Sequence, residues 1–135
     1  MGSKIINNSK RIIYNIDNQD KEKQLVEFCR QLGYNARKIK PSDADSSVGS
    51  IAGIKISNTM SRKEKAPLGY KFPEVIIFSG ISDGDLDIFL AEYKKAGIEP
   101  VPLKAVVTQH NISWSLYELV KELQRERIAM MLGRK

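Results

Sequence analysis

The feature that most constrains the fold of this chain is its alternation of short β-branched runs with segments whose apolar residues recur at helical spacing. Runs typical of strands lie at 11–16, 34–40, 74–78 and 103–108. Segments typical of helices lie at about 21–32, 83–96 and 112–131, with a shorter helical turn near 42–45. Strands that alternate with helices over short links usually pair in parallel through crossover connections.

The run at 74–78 is the most strand-like segment of the chain. After Glu74 it is apolar at every position, as expected for a strand that helices cover on both faces of a parallel sheet. We therefore predict a single three-layer α/β domain with a mostly parallel four-stranded sheet. The strand order predicted is 2-1-3-4, which is half of a flavodoxin-like sheet.

The domain organisation follows from length and from local polarity. A chain of 135 residues has the length of one domain. Residues 1–10 are polar and are predicted to be a flexible N-terminal segment. Residues 11–135 are predicted to form the domain, with a long loop at about 55–73, where neither the helical nor the strand period is found. No internal repeat is apparent.

Composition excludes several classes of protein. The one cysteine, Cys29, permits no internal disulfide and indicates a reducing compartment. No apolar run approaches the ~20 residues needed to span a bilayer, and the first residues lack the apolar core of a signal peptide. We therefore predict a cytoplasmic protein without a membrane partner.

The sequence gives little support to catalysis. One histidine and one cysteine do not make up the usual zinc ligand set, so no metal and no other cofactor are predicted. No nucleophile and base are spaced to act together, so no catalytic residue is proposed and a non-enzymatic role is favoured. Cys29 shares a helical stripe with Leu25 and Phe28, which indicates packing rather than reactivity.

The net charge of +6 is unevenly distributed, with a basic first third and a second basic stretch at 62–71. Basic asymmetry is compatible with a polyanionic partner such as nucleic acid. Aromatic residues are not interleaved with these charges as they are on RNA-stacking surfaces, so nucleic acid is the less favoured partner.

A parallel sheet of this order would bind ligands in the crevice beyond the carboxyl ends of strands one and three. Helix N-termini point there, and their backbone N–H groups favour anions. Candidate ligand-binding residues on this rim are Asp17, Ser79, Gly80, Thr108 and Asn111. This expectation locates a site and does not name its chemistry.

Two further candidates have competing interpretations. Lys104 lies inside an apolar strand, where a charge needs a partner; Asp17 or Glu74 is favoured over an anionic ligand. Trp114 precedes the last helix, where an aromatic ring more often fills the core than stacks on a ligand.

Three segments carry a resemblance to a known family. They are Phe78-Ser79-Gly80-Ile81-Ser82-Asp83, Lys104-Ala105-Val106-Val107-Thr108 and Asn111-Ile112-Ser113-Trp114. Together they resemble the bacterial domain of unknown function 3783 over residues 74–123. The resemblance implies the domain and supplies no reaction. Its matching positions are Ser79, Gly80, Lys104, Thr108, Asn111 and Trp114, whereas His110 stands where relatives often carry proline.

The leading hypothesis is a binding or regulatory module for a small anionic ligand or a partner segment. In that hypothesis Lys104 supplies charge, and Thr108 and Asn111 supply hydrogen bonds. One alternative is a nucleic-acid or polyanion adaptor. Another is a homodimer formed through the apolar end of the last helix, 128–132.

Overall fold

A computed structural model of the protein describes residues 10–54 and 64–133. The predicted flexible segment, apart from Lys10, and the first half of the predicted loop lie outside these residues. The strands are β1 (Arg11–Asn15), β2 (Asn35–Lys38), β3 (Val75–Ser79) and β4 (Leu103–Val106). The α-helices are α1 (Gln19–Leu32), α2 (Val48–Ile51), α3 (Asp83–Lys95) and α4 (Leu116–Met131), with a 3-10 turn at Pro41–Asp43.

The four strands form one open sheet in the order β2-β1-β3-β4, which confirms the predicted order. β1 pairs with β2 in parallel and β3 pairs with β4 in parallel. The central pair, β1 with β3, is antiparallel, and Ile13 lies opposite Ile77 at its centre. The prediction of a mostly parallel sheet is therefore wrong, because the sheet is mixed.

The direction of β3 could not be read from its composition. Helices cover both faces of the sheet, so a central strand must be apolar throughout whichever way it runs. The connection from α2 to β3 spans more than twenty residues, from Ala52 to Glu74, and leaves the chain free to enter β3 from either end. A connection of this length does not by itself determine the direction in which the next strand runs.

Two apolar cores lie on opposite faces of the sheet and make the protein a three-layer structure. On one face, Leu25 and Phe28 of α1 pack with Phe89 and Tyr93 of α3. On the other face, short α2 and long α4 pack over the alternate residues of the strands. The side chains of β3 alternate between the two cores, so this strand is buried on both sides.

Side-chain caps set the helix boundaries. Asn18, Ser82 and Ser115 each accept a hydrogen bond from the backbone N–H three residues later, which satisfies a donor that the first helical turn leaves free. α4 begins at Leu116 rather than near 112, because hydrogen-bonded turns occupy the preceding residues.

Residues 64–73 contain neither helix nor strand and run across the face that carries α4. The N–H of Glu64 donates to Glu118 (3.2 Å), and the N–H of Ala66 donates to Asp45 (3.0 Å). The side-chain amide of Asn15 donates to the carbonyl of Phe72 (2.9 Å). This segment is thus tied to both halves of the chain before it enters β3.

Candidate functional site

The antiparallel centre of the sheet separates the residues predicted to share one crevice. The carboxyl end of β1 lies beside the amino end of β3, since Asn15 pairs with Val75. Asp17 therefore lies at one end of the sheet, and Ser79 lies at the other. The prediction that the carboxyl ends of β1 and β3 form one crevice is therefore wrong.

Asp17 lies in a different surrounding from the one expected. Its backbone N–H donates to Glu74 (3.3 Å), and its side chain is exposed. It borders a small pocket of about 170 Å³ that Tyr70 and Phe72 also line. Ser79 and Gly80 lie at the opposite end of the sheet, so Asp17 does not share a site with them.

Ser79 and Gly80 end β3 beside the start of β1. Ser79 is buried and is the cross-strand partner of Arg11. The Arg11 guanidinium reaches over this end of the sheet and donates to the carbonyl of Ile51 (3.4 Å). Gly80 has φ +73°, a left-handed conformation that glycine adopts without strain, so its role is to turn the chain toward α3.

Thr108 and Asn111 hold the loop after β4 through their own hydrogen bonds. The Asn111 carboxamide accepts from the N–H of Thr108 (3.0 Å) and donates to the carbonyl of Val106 (3.1 Å). The Thr108 hydroxyl accepts from the N–H groups of His110 (3.2 Å) and Asn111 (3.3 Å). These contacts give both side chains a structural task.

Trp114 packs against the core beneath α4. Its ring contacts His110 with a centroid separation of 5.2 Å, and the side chain is half-buried against the cluster that contains Leu116 and Leu119. The geometry favours the core interpretation over ligand stacking.

Among the predicted site residues, Lys104 lines a cavity large enough for a small molecule. It lies on the edge strand β4 opposite Ile76, on the face covered by α1 and α3. A groove of about 340 Å³ lies here between α3 and β4, a volume at the lower end of the range of small-molecule sites. The groove, called the α3–β4 groove below, is lined by Ile76, Phe89, Leu90, Tyr93, Lys94, Ile98, Pro100, Val101 and Lys104.

Aromatic side chains form the floor of the α3–β4 groove. The rings of Phe89 and Tyr93 are stacked, with centroids 6.1 Å apart. The Tyr93 hydroxyl donates to the carbonyl of Glu99 (2.6 Å), which fixes the chain where it leaves α3. Burial raises the pKa of Tyr93 to about 12, so this hydroxyl stays protonated at neutral pH. It serves as a hydrogen-bond donor rather than as a base.

Positive charges converge on the rim of the α3–β4 groove. The Lys104 ammonium donates to the carbonyl of Val101 (2.7 Å) and has no carboxylate at ion-pair distance among residues 10–54 and 64–133. Desolvation lowers the pKa of Lys104, and the charges of Arg127 and Lys21 lower it further. These groups come from β4, α4 and α1.

The partner expected for Lys104 is engaged elsewhere. Glu74 forms its ion pair with Lys21 (2.7 Å), whose ammonium also donates to the carbonyl of Pro100 (2.8 Å). The expectation that Asp17 or Glu74 neutralises Lys104 is therefore wrong. The groove keeps a net positive rim beside its apolar floor.

Sequence reasoning missed this groove. Its shape depends on seven residues, 96–102, between the end of α3 and the start of β4, whereas two residues, Gly33 and Tyr34, connect α1 to β2. Pro100 and Pro102 are typical of an extended segment that leads into a strand, and they do not by themselves indicate a cavity. The signal that could have revealed the groove was the greater length of this connection.

Two kinds of feature are absent from the part of the chain that the structure describes. It contains no group of three or more His, Cys, Asp or Glu side chains placed to hold a metal ion. Within the same residues, no helix combines the length and the apolar character needed to cross a bilayer.

The fold and site together define an open, mixed α/β sheet domain with an apolar, cation-rimmed groove beside one edge strand. A comparison with protein families gives a match for the second half of the chain. Residues 74–130 match the family described as "Domain of unknown function (DUF3783)", and this part of the chain belongs to that family. Comparisons with curated proteins and with solved structures found no match.

Proposed function

We propose that this protein is a binding module for a small amphipathic anion, with the α3–β4 groove as its site. The single observation that carries the proposal is the position of the Lys104 ammonium, unpaired with any carboxylate of the described residues, at the rim of an apolar cavity of about 340 Å³. A largely apolar cavity with few polar groups is the usual form of a small-molecule site.

The charge of the rim favours an anion as the ligand. Lys94 lines the groove as well, and Arg127 and Lys21 are close enough to act on Lys104. A carboxylate or phosphate placed among these groups would relieve their mutual repulsion. It would also form a charge-assisted hydrogen bond with the Lys104 ammonium.

The floor of the groove favours an apolar body on the same ligand. Phe89, Val101 and Ile76 are almost completely buried in the free protein, and Leu90 adds an exposed apolar wall. Burial of apolar ligand surface here contributes ~25 cal/mol for each Å² removed from water. An inorganic ion would leave this part of the site empty.

Decanoate is the probe that combines both properties, and its binding can be followed as a shift in melting temperature. We expect decanoate to raise the melting temperature of the full chain, since a ligand that binds only the folded state stabilises it. Lys104→Gln should abolish the shift. Lys95→Gln is the matched control, because Lys95 lies exposed at the end of α3, pairs with Glu92 and does not line the groove.

Two outcomes separate the parts of this proposal. If decanoate gives no shift with the wild-type protein, the site is wrong. If decanol gives a shift as large as decanoate, or if Lys104→Gln retains the shift, the requirement for an anion is wrong. The setting that we propose is the reducing bacterial cytoplasm, which suits the buried free thiol of Cys29.

Self-association through the end of α4 is the second candidate function, and the exposed apolar residues there favour it. Ile128, Met130, Met131 and Leu132 are between 57% and 76% exposed. A shallow cleft lined by Leu103 and Met131 adjoins them, and Glu126 and Arg127 border it. A second copy related by a twofold axis would bring these opposite charges together. Light scattering should then report a dimer that Met131→Asp dissociates, and a monomeric wild-type protein contradicts this candidate.

A further inference from the structure

The helices α1 and α3 begin at corresponding positions in two halves of the chain, and their ends differ by one residue. Asn18 caps α1, and Ser82, which caps α3, lies 64 residues later. Gly33 follows α1 with φ +81°, and Gly97, also 64 residues later, has φ +74°. Each half therefore has the same strand, cap, helix and terminal glycine at the same spacing.

The register of the central strands has the same spacing. Ile13 pairs with Ile77, which is its own counterpart 64 residues later, and the other four pairs are arranged symmetrically about it. Two equivalent residues can face each other only if a twofold axis passes between them. The antiparallel centre of the sheet is therefore the contact of two similar halves.

The loops that follow β2 and β4 correspond as well, at a spacing of 68 because the second half carries four additional residues before β4. The Asp43 carboxylate accepts from the N–H of Lys40 (2.8 Å). Its counterpart, Asn111, accepts from the N–H of Thr108 (3.0 Å). Both loops are held by the same hydrogen bond, three residues back along the chain.

A second pair of equivalent residues meets on the other side of the sheet. Ser47 and Ser115, the caps of α2 and α4, form an antiparallel bridge with each other. The bonds around it are reciprocal: Val48 N donates to Trp114 O (2.8 Å), and Leu116 N donates to Ser46 O (2.9 Å). Their outer counterparts are reciprocal too: Gly49 N donates to Ile112 O (2.8 Å), and Tyr117 N donates to Ala44 O (2.9 Å).

From these observations we infer that residues 11–52 are a second, diverged copy of the family module that residues 75–120 represent. The face formed by β3 and the Ser115 turn is then a docking surface whose partner is another copy of the module. In this protein the first half occupies that surface. On this inference the repeat lies in the structure, although none is apparent in the sequence.

Two unrelated βαβ units placed side by side do not account for this arrangement. Similar helix lengths and glycine stops could arise separately, since they meet common requirements of helices. Two separate contacts, Ile13 with Ile77 and Ser47 with Ser115, each join equivalent residues. A single twofold relation between the halves explains both, and it is independent of the α3–β4 groove.

The inference predicts that the second half recognises itself when the first half is not available. A protease site inserted after Leu68, which is fully exposed, allows the folded chain to be cut between the halves. The cleaved protein is unfolded in urea, mixed with an excess of the second fragment and refolded. Native mass spectrometry should find the mixed pair together with a homodimer of the second fragment.

Matched variants identify the surface used. Ile77→Asp in the second fragment should remove the homodimer, because it places a charge at the twofold contact. Ile88→Asp should leave the homodimer intact, because Ile88 is 57% exposed on α3. If the excess second fragment stays monomeric while the mixed pair forms, self-recognition of the module is contradicted.

A full-length variant tests the duplication by another route. In it residues 11–52 are replaced by residues 75–120, so that the two halves carry the same sequence. We expect a folded monomer with a cooperative thermal transition, because the face of β3 and the turn at Ser115 then meets a second copy of itself. A chain that does not fold would contradict the inference.

Discussion

The two halves of this protein share one framework and differ in what they build on it. Position 104 in the second half is a lysine at the rim of the α3–β4 groove, and its counterpart in the first half is Ala36. Tyr93 on the groove floor corresponds to Cys29. The four additional residues before β4 add Pro100 and Val101 to the wall. The comparison teaches that the repeated parts maintain the fold, whereas the proposed site arises where one copy departs from the other.

The loops after β2 and β4 show a second difference, in how the same contact is held. Asp43 adds an ion pair with Arg37 (2.9 Å) to its backbone hydrogen bond. The counterpart of Arg37 is Ala105, so Asn111 relies on hydrogen bonds alone. The first loop therefore depends on charge, and the second does not.

The largest expected effect comes from substitutions at the twofold contact between β1 and β3. Ile13→Ala and Ile77→Ala each remove a fully buried side chain at equivalent sites. Each should lower the free energy of unfolding by about 2–5 kcal/mol, and the two losses should be similar. Urea denaturation of the full chain measures both. A large loss for one and none for the other would contradict the equivalence of the two strands.

A smaller effect should distinguish the two loops. Asp43→Ala and Asn111→Ala each remove the acceptor of a loop N–H, and each should cost about 1–3 kcal/mol. Burial alone would raise the pKa of Asp43, but hydrogen bonds from Arg37 and from the Lys40 N–H outweigh it and lower the pKa. The stability that ionised Asp43 supplies is present above the unfolded-state pKa and is lost as the pH falls through the lowered folded-state pKa.

Asp43→Asn sharpens the distinction, because it keeps an acceptor and removes the charge. The loss of unfolding free energy caused by Asp43→Asn should become smaller in acid, because Asp43 of the wild type is then protonated too. The loss caused by Asn111→Ala should stay the same over this pH range, because Asn111 carries no charge. Denaturation curves recorded at a series of acid pH values provide the measurement. An equal pH dependence for both variants would show that the charge of Asp43 has no special role.

The smallest effect at neutral pH concerns Cys29, which is fully buried. Burial raises the pKa of its thiol to about 12, so the thiol should not react with iodoacetamide in the folded protein. Its contribution to stability is complete below the unfolded-state pKa and is lost as the pH rises toward about 12. Mass spectrometry of the alkylated protein checks this, and rapid labelling without unfolding would contradict the packing of α1.

Much of the framework could be predicted from local sequence because local interactions determine it. Ser82 and Asp85 have the spacing of a helix cap at the start of α3, and Gly33 and Gly97 are of the residue type that commonly follows the end of a helix. The apolar run at 75–78 indicated a strand buried on both faces. These features depend on residues within one turn or one strand of each other.

The direction of β3 and the internal repeat could not be predicted in the same way. Direction depends on a long connection that carries no regular period. Few residues are identical between the two halves of the chain. The clearest sign of the repeat is its spacing, which is fifteen residues both from Asn18 to Gly33 and from Ser82 to Gly97. The site residues were misplaced as a result, because a crevice at one end of the sheet requires β1 and β3 to run in parallel.

The central claim is that the two halves share a framework while one half alone carries the ligand site. Titration of the isotope-labelled full chain with decanoate, followed by amide chemical shifts, tests this claim most directly. We predict that shifts concentrate at Phe89, Tyr93 and Lys104, with no comparable change at their counterparts Leu25, Cys29 and Ala36. Equal changes in both halves, or no saturable change in either, would contradict it.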